Sequence, residues 1–239
     1  MKSNCQKYSC VNWQKTIGFL TAVLLFLHIH FAIAEPELDI QEQQSIAQPE
    51  FMDGKDYFSY STSINESPRS DKKIVVKSFF DYDCRTCVNT RDILAVYGQI
   101  NAGKVVIEDY PVATDETPFT AQVYYTLAQM KQDDLSDALL FETSDPKRYQ
   151  QLSQYEKLLE WLDMQGVDTN VFDQIYHSEK IKNQVDDAVA QTEKYGVFTY
   201  PFVVIDGTYA LTESTLYNDD YTFAVLDALV KKIQMDKPH

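Results

Sequence analysis

The residues best equipped for chemistry in this chain are Cys84 and Cys87, separated by Arg85 and Thr86. They follow the apolar run Ile74-Val75-Val76-Lys77-Ser78-Phe79-Phe80 and precede a helical pattern through Ile93, Leu94 and Tyr97. A Cys-x-x-Cys pair where a strand gives way to a helix is the layout of a thiol–disulfide redox site. The first turn of a helix leaves backbone N–H groups unpaired and presents the positive end of the helix dipole. A sulfur held there is stabilised as the thiolate, the form that attacks disulfides. The second cysteine, one turn on, can close on the first or cut a mixed disulfide.

The rest of the sequence narrows that chemistry. Lys2, Lys7 and Lys15 give a basic start, and an apolar stretch from Ile17 to Ala34 ends in the small-x-small triplet Ala32-Ile33-Ala34. Residues 1–34 therefore read as a cleaved export signal rather than a membrane anchor. Its loss removes Cys5 and Cys10, so the exported chain keeps only Cys84 and Cys87. A zinc site would need two further ligands, and only His177 and His239 remain among histidines. No metal site and no cofactor are expected, although two-coordinate Cu(I) on the thiolate pair stays open as an alternative. The formal charge is −15. So acidic a chain is a poor match for nucleic acid or an anionic membrane surface, and a soluble monomer is expected.

The elements that must position the cysteines can be read from periodicity. Residues 35–50 are rich in Gln and Glu without an apolar period and read as a flexible leader. Lys73 to Phe80 is a buried strand. Gly103 breaks the helix after the cysteines, and Lys104 to Tyr110 is a second strand, parallel to the first and stopped by Pro111. Glu108 and Asp109 read as a solvated strand end rather than as a proton relay for Cys87. Thr117-Pro118 opens a helical stretch. Its apolar stripes mark five helices, the third through Leu152, Tyr155, Leu159 and Leu162 to Gly166, and the fifth through Val185 to Thr192. The pattern returns to strand at Phe202-Val203-Val204-Ile205. Asp206-Gly207 is a hairpin turn, Thr208 to Leu211 the returning strand, and a helix through Phe223 to Ile233 closes the chain.

A proline cannot donate to a strand ladder and belongs at a strand's start. Tyr200-Pro201 sits there, directly before Phe202. The segment Gly196-Val197-Phe198-Thr199-Tyr200-Pro201 with its hairpin resembles the loop that faces the active site in thioredoxin-fold proteins. Together with the strand, Cys-x-x-Cys, helix, strand and long helical insertion upstream, it resembles the DsbA branch of that superfamily, the periplasmic dithiol oxidases. Asp53-Gly54-Lys55-Asp56-Tyr57 resembles the family's opening segment, and Phe79-Phe80-Asp81-Tyr82-Asp83 its aromatic approach to the first cysteine. The resemblance covers roughly Phe51 to Ile233. It implies an α/β chain, a thioredoxin fold with an inserted helical domain. Its first part is 51–116, its insertion 117–185 and its second part 186–236.

The resemblance also implies roles. Cys84 is the attacking thiolate and Cys87 the more buried resolving thiol. Pro201 shapes the substrate groove, and the backbone of Tyr200 pairs with an extended substrate strand. The substrates implied are exported proteins with free thiols, and the re-oxidant is a quinone-linked membrane partner like DsbB. The family's archetype has Pro-His between the cysteines where this chain has Arg85-Thr86. Arg85 is a fixed cation that favours a thiolate, Thr86 brings a hydroxyl without charge, and Asp81 and Asp83 oppose Arg85 if they lie close. A reductase or isomerase on the same fold is therefore the second reading, and a Cu(I)-binding protein the third.

Overall fold

The computed structural model describes residues 51–64 and 70–236. The export signal and the leader read from the sequence lie outside these residues. Among them, five strands form one sheet in the order β1-β5-β4-β2-β3. The strands are β1 Phe58–Ser59, β2 Ile74–Phe80, β3 Val105–Pro111, β4 Phe202–Ile205 and β5 Tyr209–Thr212. β2 and β3 run parallel, and the other pairs are antiparallel. Every residue of β2 and of β4 is buried, which is why neither reads as a polar–apolar alternation: β4 is wholly apolar, and β2 is apolar apart from Lys77 and Ser78. The chain passes from β2 to β3 through α1, Cys87–Ile100. Gly98 lets that helix lie close to β3, for a Cβ there would stand 2.7 Å from Ile107 Cγ1.

The β4–β5 hairpin turns on Asp206 and Gly207, with φ of 50° and 63°. Two consecutive left-handed residues make the tight turn that matches the twist of the strands, and Asp-Gly suits both positions. β1 was not foreseen. It is two exposed residues held to β5, too short to show a period.

Between β3 and β4 lie α2 Phe119–Gln129, α3 Asp133–Thr143, α4 Pro146–Leu152, α5 Tyr155–Met164, α6 Thr169–Tyr176 and α7 Glu179–Lys194; α8, Asp219–Asp236, ends the fold. The stripe Leu152-Tyr155-Leu159-Leu162, expected to be one helix, belongs to two. α4 stops at Ser153, and α5 begins after an extended Gln154. Gly166, at φ 81°, ends α5, with Val167 N–H returning to the Leu162 carbonyl. Asp145, Asp168 and Ser178 cap α4, α6 and α7 with side-chain oxygens, each satisfying helix N–H groups that would otherwise lack partners. The boundary read at 185/186 falls inside the continuous α7.

Two large cores result. One lies under β2, β4 and β5 against α1 and α8, with Val76, Leu94, Val203, Leu211, Leu226 and Leu229 at its centre. The other fills the helical insertion, with Leu127, Leu139, Leu158, Leu162 and Phe172.

Candidate active site

Cys84 and Cys87 are joined as a disulfide, with Cα atoms 5.5 Å apart. β2 delivers the pair. Its last residue is Phe80, and the chain then runs Asp81-Tyr82-Asp83 into Cys84. Cys87 is the first residue of α1, with Thr86 at the N-cap position. Cys84 therefore lies just outside the helix, two residues before its cap. Both residues are buried, Cys84 to 3% exposure and Cys87 to 2%. Both pack in the core of the insertion, beside Phe80 and Tyr82. Arg85 is exposed and Thr86 partly so.

Pro201 comes to the same end of the sheet. β4 runs antiparallel to β2 with Phe202 opposite Phe79. The loop ending in Pro201 and the segment leading into Cys84 thus leave neighbouring strands side by side. The Tyr200–Pro201 peptide bond is cis. Tyr200 is 37% exposed and Phe198 81% exposed, its ring resting on Phe202 at 5.7 Å. Asp81 and Asp83 lie within electrostatic reach of Tyr200 and of Tyr149 on α4. Four segments of the chain therefore converge here: the approach to Cys84, the start of α1, the Pro201 loop and α4.

The two acids upstream of Cys84 differ. Asp83 is exposed. Asp81 is buried, and burial pushes its carboxyl above the usual carboxylate range, against hydrogen bonds from the Asp83 N–H at 2.7 Å and from Thr120. A raised carboxyl carries its charge less readily, so Asp81 opposes a thiolate less than an exposed aspartate would. Between them, Tyr82 is fully buried. Its hydroxyl pairs with Ser136 at 2.8 Å, and its N–H donates to the Thr120 hydroxyl.

Glu108 and Asp109 do not form a solvated strand end. Both are half-buried and paired with cations. Lys77, itself buried in β2, lies 3.5 Å from Glu108 and donates to the Tyr110 hydroxyl at 2.8 Å, which in turn donates to Glu108. Asp109 takes a 3.0 Å hydrogen bond from Arg91 of α1. Sequence reasoning missed Arg91, whose only trace is its offset four residues after Cys87, and saw Tyr82 only as part of the aromatic approach to Cys84, without its bond to Ser136. A hollow of about 340 Å³ lined by Arg148, Leu152, Trp161 and Met164 contains none of the redox residues. The redox pair lies at the sheet end from which the loop carrying the exposed Phe198 and Tyr200 also leaves.

The model of a DSBA-like thioredoxin domain matches residues 119–220. An uncharacterised protein of Haemophilus influenzae is 47% identical over 93% of this chain and 97% of its own. The thiol:disulfide interchange protein DsbA of Bordetella pertussis is 29% identical over 70% of this chain and 81% of its own. In fold, the chain is similar to the crystal structure of Pseudomonas aeruginosa DsbA, with a TM-score of 0.66 at 24% identity over 77% of this chain and 95% of that one. Xylella fastidiosa DsbA superposes with a TM-score of 0.63 at 21% identity, covering 77% of this chain and 98% of that one.

Proposed function

We propose that this chain, which is similar to a DSBA-like thioredoxin domain and to the thiol:disulfide interchange protein DsbA, is a thiol–disulfide oxidoreductase that donates its Cys84–Cys87 disulfide to exported proteins in a Gram-negative periplasm. The observation that carries this reading is a disulfide closed at the start of α1, at the sheet end from which the cis-Pro201 loop also leaves.

The exchange follows from that placement. A substrate thiolate attacks Cys84 Sγ, the Cys84–Cys87 bond breaks, and Cys87 departs as a thiolate that takes up a proton. A second substrate thiolate then attacks the substrate sulfur of the mixed disulfide and expels Cys84. The substrate loses two electrons and two protons and gains a disulfide; the pair Cys84 and Cys87 gains both. Cys84 leaves best as a stabilised thiolate, and the helix end and Arg85 favour that form. The Tyr200 backbone beside Pro201 is suited to hold the substrate as an added strand. Thr86, between the cysteines, borders the same path. A quinone-linked membrane protein of the DsbB type removes the electrons. Export rests on the basic and apolar pattern of residues 1–34. Among the described residues, no helix is long and apolar enough to cross a membrane.

The second reading, a reductase, is favoured by Asp81 and Asp83 beside the redox segment. The experiment that separates the two mixes the oxidised protein with a reduced, unfolded substrate and counts thiols on both. Transfer of one disulfide per protein molecule is expected. Unchanged substrate thiols, with cleavage of substrate disulfides by the reduced protein, would select the reductase.

A further inference from the structure

Besides Thr120 of α2, two adjacent residues of α3 tie the insertion to the redox segment. Ser136 holds Tyr82, two residues before Cys84. Asp137 holds Arg91, four residues after Cys87, with Asp137 Oδ1 2.7 Å from Nη1. Arg91 thus sits on the cysteine face of α1, one helical turn below Cys87. Its other nitrogen, Nη2, donates to Asp109 of β3 at 3.0 Å, and its guanidinium lies over the Phe80 ring at 5.3 Å. One cation therefore lies between two carboxylates from two other elements, one turn along α1 from Cys87.

We propose that Arg91, set between Asp137 and Asp109, is a positioning residue whose net charge environment sets the reduction potential of the Cys84–Cys87 pair. This rests on the redox reading above. Reduction creates negative charge on sulfur at the head of α1, and oxidation removes it. Any fixed charge near that helix end therefore changes the balance between the two forms. The triad sets one cation against two carboxyl groups, with burial pushing the Asp109 carboxyl up and Arg91 opposing that, so Arg91's support for a thiolate is offset by its partners. The other charges facing the segment are Asp81 and Asp83 on its approach, Arg85 between the cysteines, and Asp133 at the start of α3, which acts on Tyr124 of α2 together with Asp109, Asp137 and Arg91. None of these bridges α1 to both β3 and α3 as Arg91 does.

The test exploits the fact that two substitutions break the same contact with opposite changes of charge. Arg91→Gln leaves two carboxylates without their cation, so the glutathione equilibrium moves toward the oxidised protein. Asp137→Asn removes a negative charge and leaves Arg91 less neutralised, so the equilibrium moves toward the reduced protein. Asp137 is 59% exposed at its side chain, so its shift is expected at about threefold in the equilibrium constant, which is about 15 mV for a two-electron couple. It should shrink as salt is added, because exposed charges are screened. Asp109→Asn should move the equilibrium in the same direction as Asp137→Asn and keeps the test intact if Arg91→Gln fails to fold.

Opposite shifts for the arginine and aspartate variants support the proposal. Shifts of the same sign, or no shift in both aspartate variants, overturn it, since loosening of a structural contact would move all three alike. Failure of the unaltered protein to exchange with glutathione would instead remove the redox reading on which the proposal stands.

Discussion

The core beneath the sheet and the core of the helical insertion are built from the same apolar side chains, but only the second encloses the cysteines. Val76, Leu211, Leu226 and Leu229 seal the sheet core without touching the chemistry. Leu139, Leu158, Leu162 and Phe172 belong to the cluster that contains Cys84 and Cys87. The thioredoxin-like part thus supplies the geometry of the site, through β2, α1 and the Pro201 loop. The insertion supplies the surroundings in which the sulfurs react. Stability and redox behaviour should accordingly separate in one region and travel together in the other.

The largest effect comes from the sulfurs themselves. Cys84→Ser should abolish exchange, whereas Cys87→Ser should accumulate mixed disulfides with substrate, seen as adducts on non-reducing gels. Adducts from the Cys84 variant instead would reverse the roles of the two. The burial of Cys84 and Cys87 does not choose between them, so this experiment carries the assignment.

Next in size is a pair of truncations that tests the comparison directly. Leu211→Ala and Leu162→Ala each empty a fully buried position, and each should cost about 2–5 kcal/mol in denaturant unfolding. Only Leu162→Ala should also change the glutathione equilibrium of the pair, because its cavity opens in the cluster that holds the sulfurs. Equal redox shifts in both variants would mean that the two cores respond as one.

Much of this was legible in the sequence, for identifiable reasons. Cys84 and Cys87 after a seven-residue, largely apolar strand, and Pro201 directly before Phe202-Val203-Val204-Ile205, are local patterns. Their place in the chain order fixes the topology without knowledge of tertiary contacts. The tertiary pairs around the redox segment were not legible. Tyr82 meets Ser136 and Arg91 meets Asp137 across 54 and 46 residues, and no periodicity links them. The α4–α5 break was hidden because Leu152, Tyr155, Leu159 and Leu162 keep helical spacing across it. Glu108 and Asp109 looked solvated because a polar pair at a strand end usually is, and the cations that hold them, Lys77 and Arg91, lie on other elements.

A smaller effect should follow at Asp81. Its carboxyl is raised by burial, so the folded state binds its proton more tightly than the unfolded chain does. The folded state then holds more protons than the unfolded state over the range from the ordinary aspartate value up to the raised one, and stability falls as pH rises through that range. Asp81→Asn keeps an acceptor for the Asp83 N–H and removes the titration. It should be more stable than the parent at neutral pH, with the difference vanishing in acid below the ordinary aspartate range. Urea midpoints across that pH range would check it; a variant less stable at neutral pH would show that the Asp81 charge is held favourably after all.

The smallest effect contrasts with it in sign, and it lies on the sheet side. Asp56 accepts the Tyr221 hydroxyl at 2.6 Å and the Met52 N–H at 2.7 Å. The Tyr221 bond, first among the causes, holds its carboxyl below the usual range. A depressed carboxyl stabilises the fold above the unfolded aspartate value, and that stability is lost as pH falls through the folded value. Tyr221→Phe removes the donor and should bring Asp56 back toward its ordinary range. The variant should then lose stability at neutral pH and show a weaker acid dependence than the parent, the reverse of what Asp81→Asn does. Because Asp56 ties the opening segment to α8, far along the chain from the cysteines, its variant should leave the glutathione equilibrium where it was. A redox shift from Tyr221→Phe as large as that from Leu162→Ala would erase the distinction between the region that shapes the site and the region that tunes it.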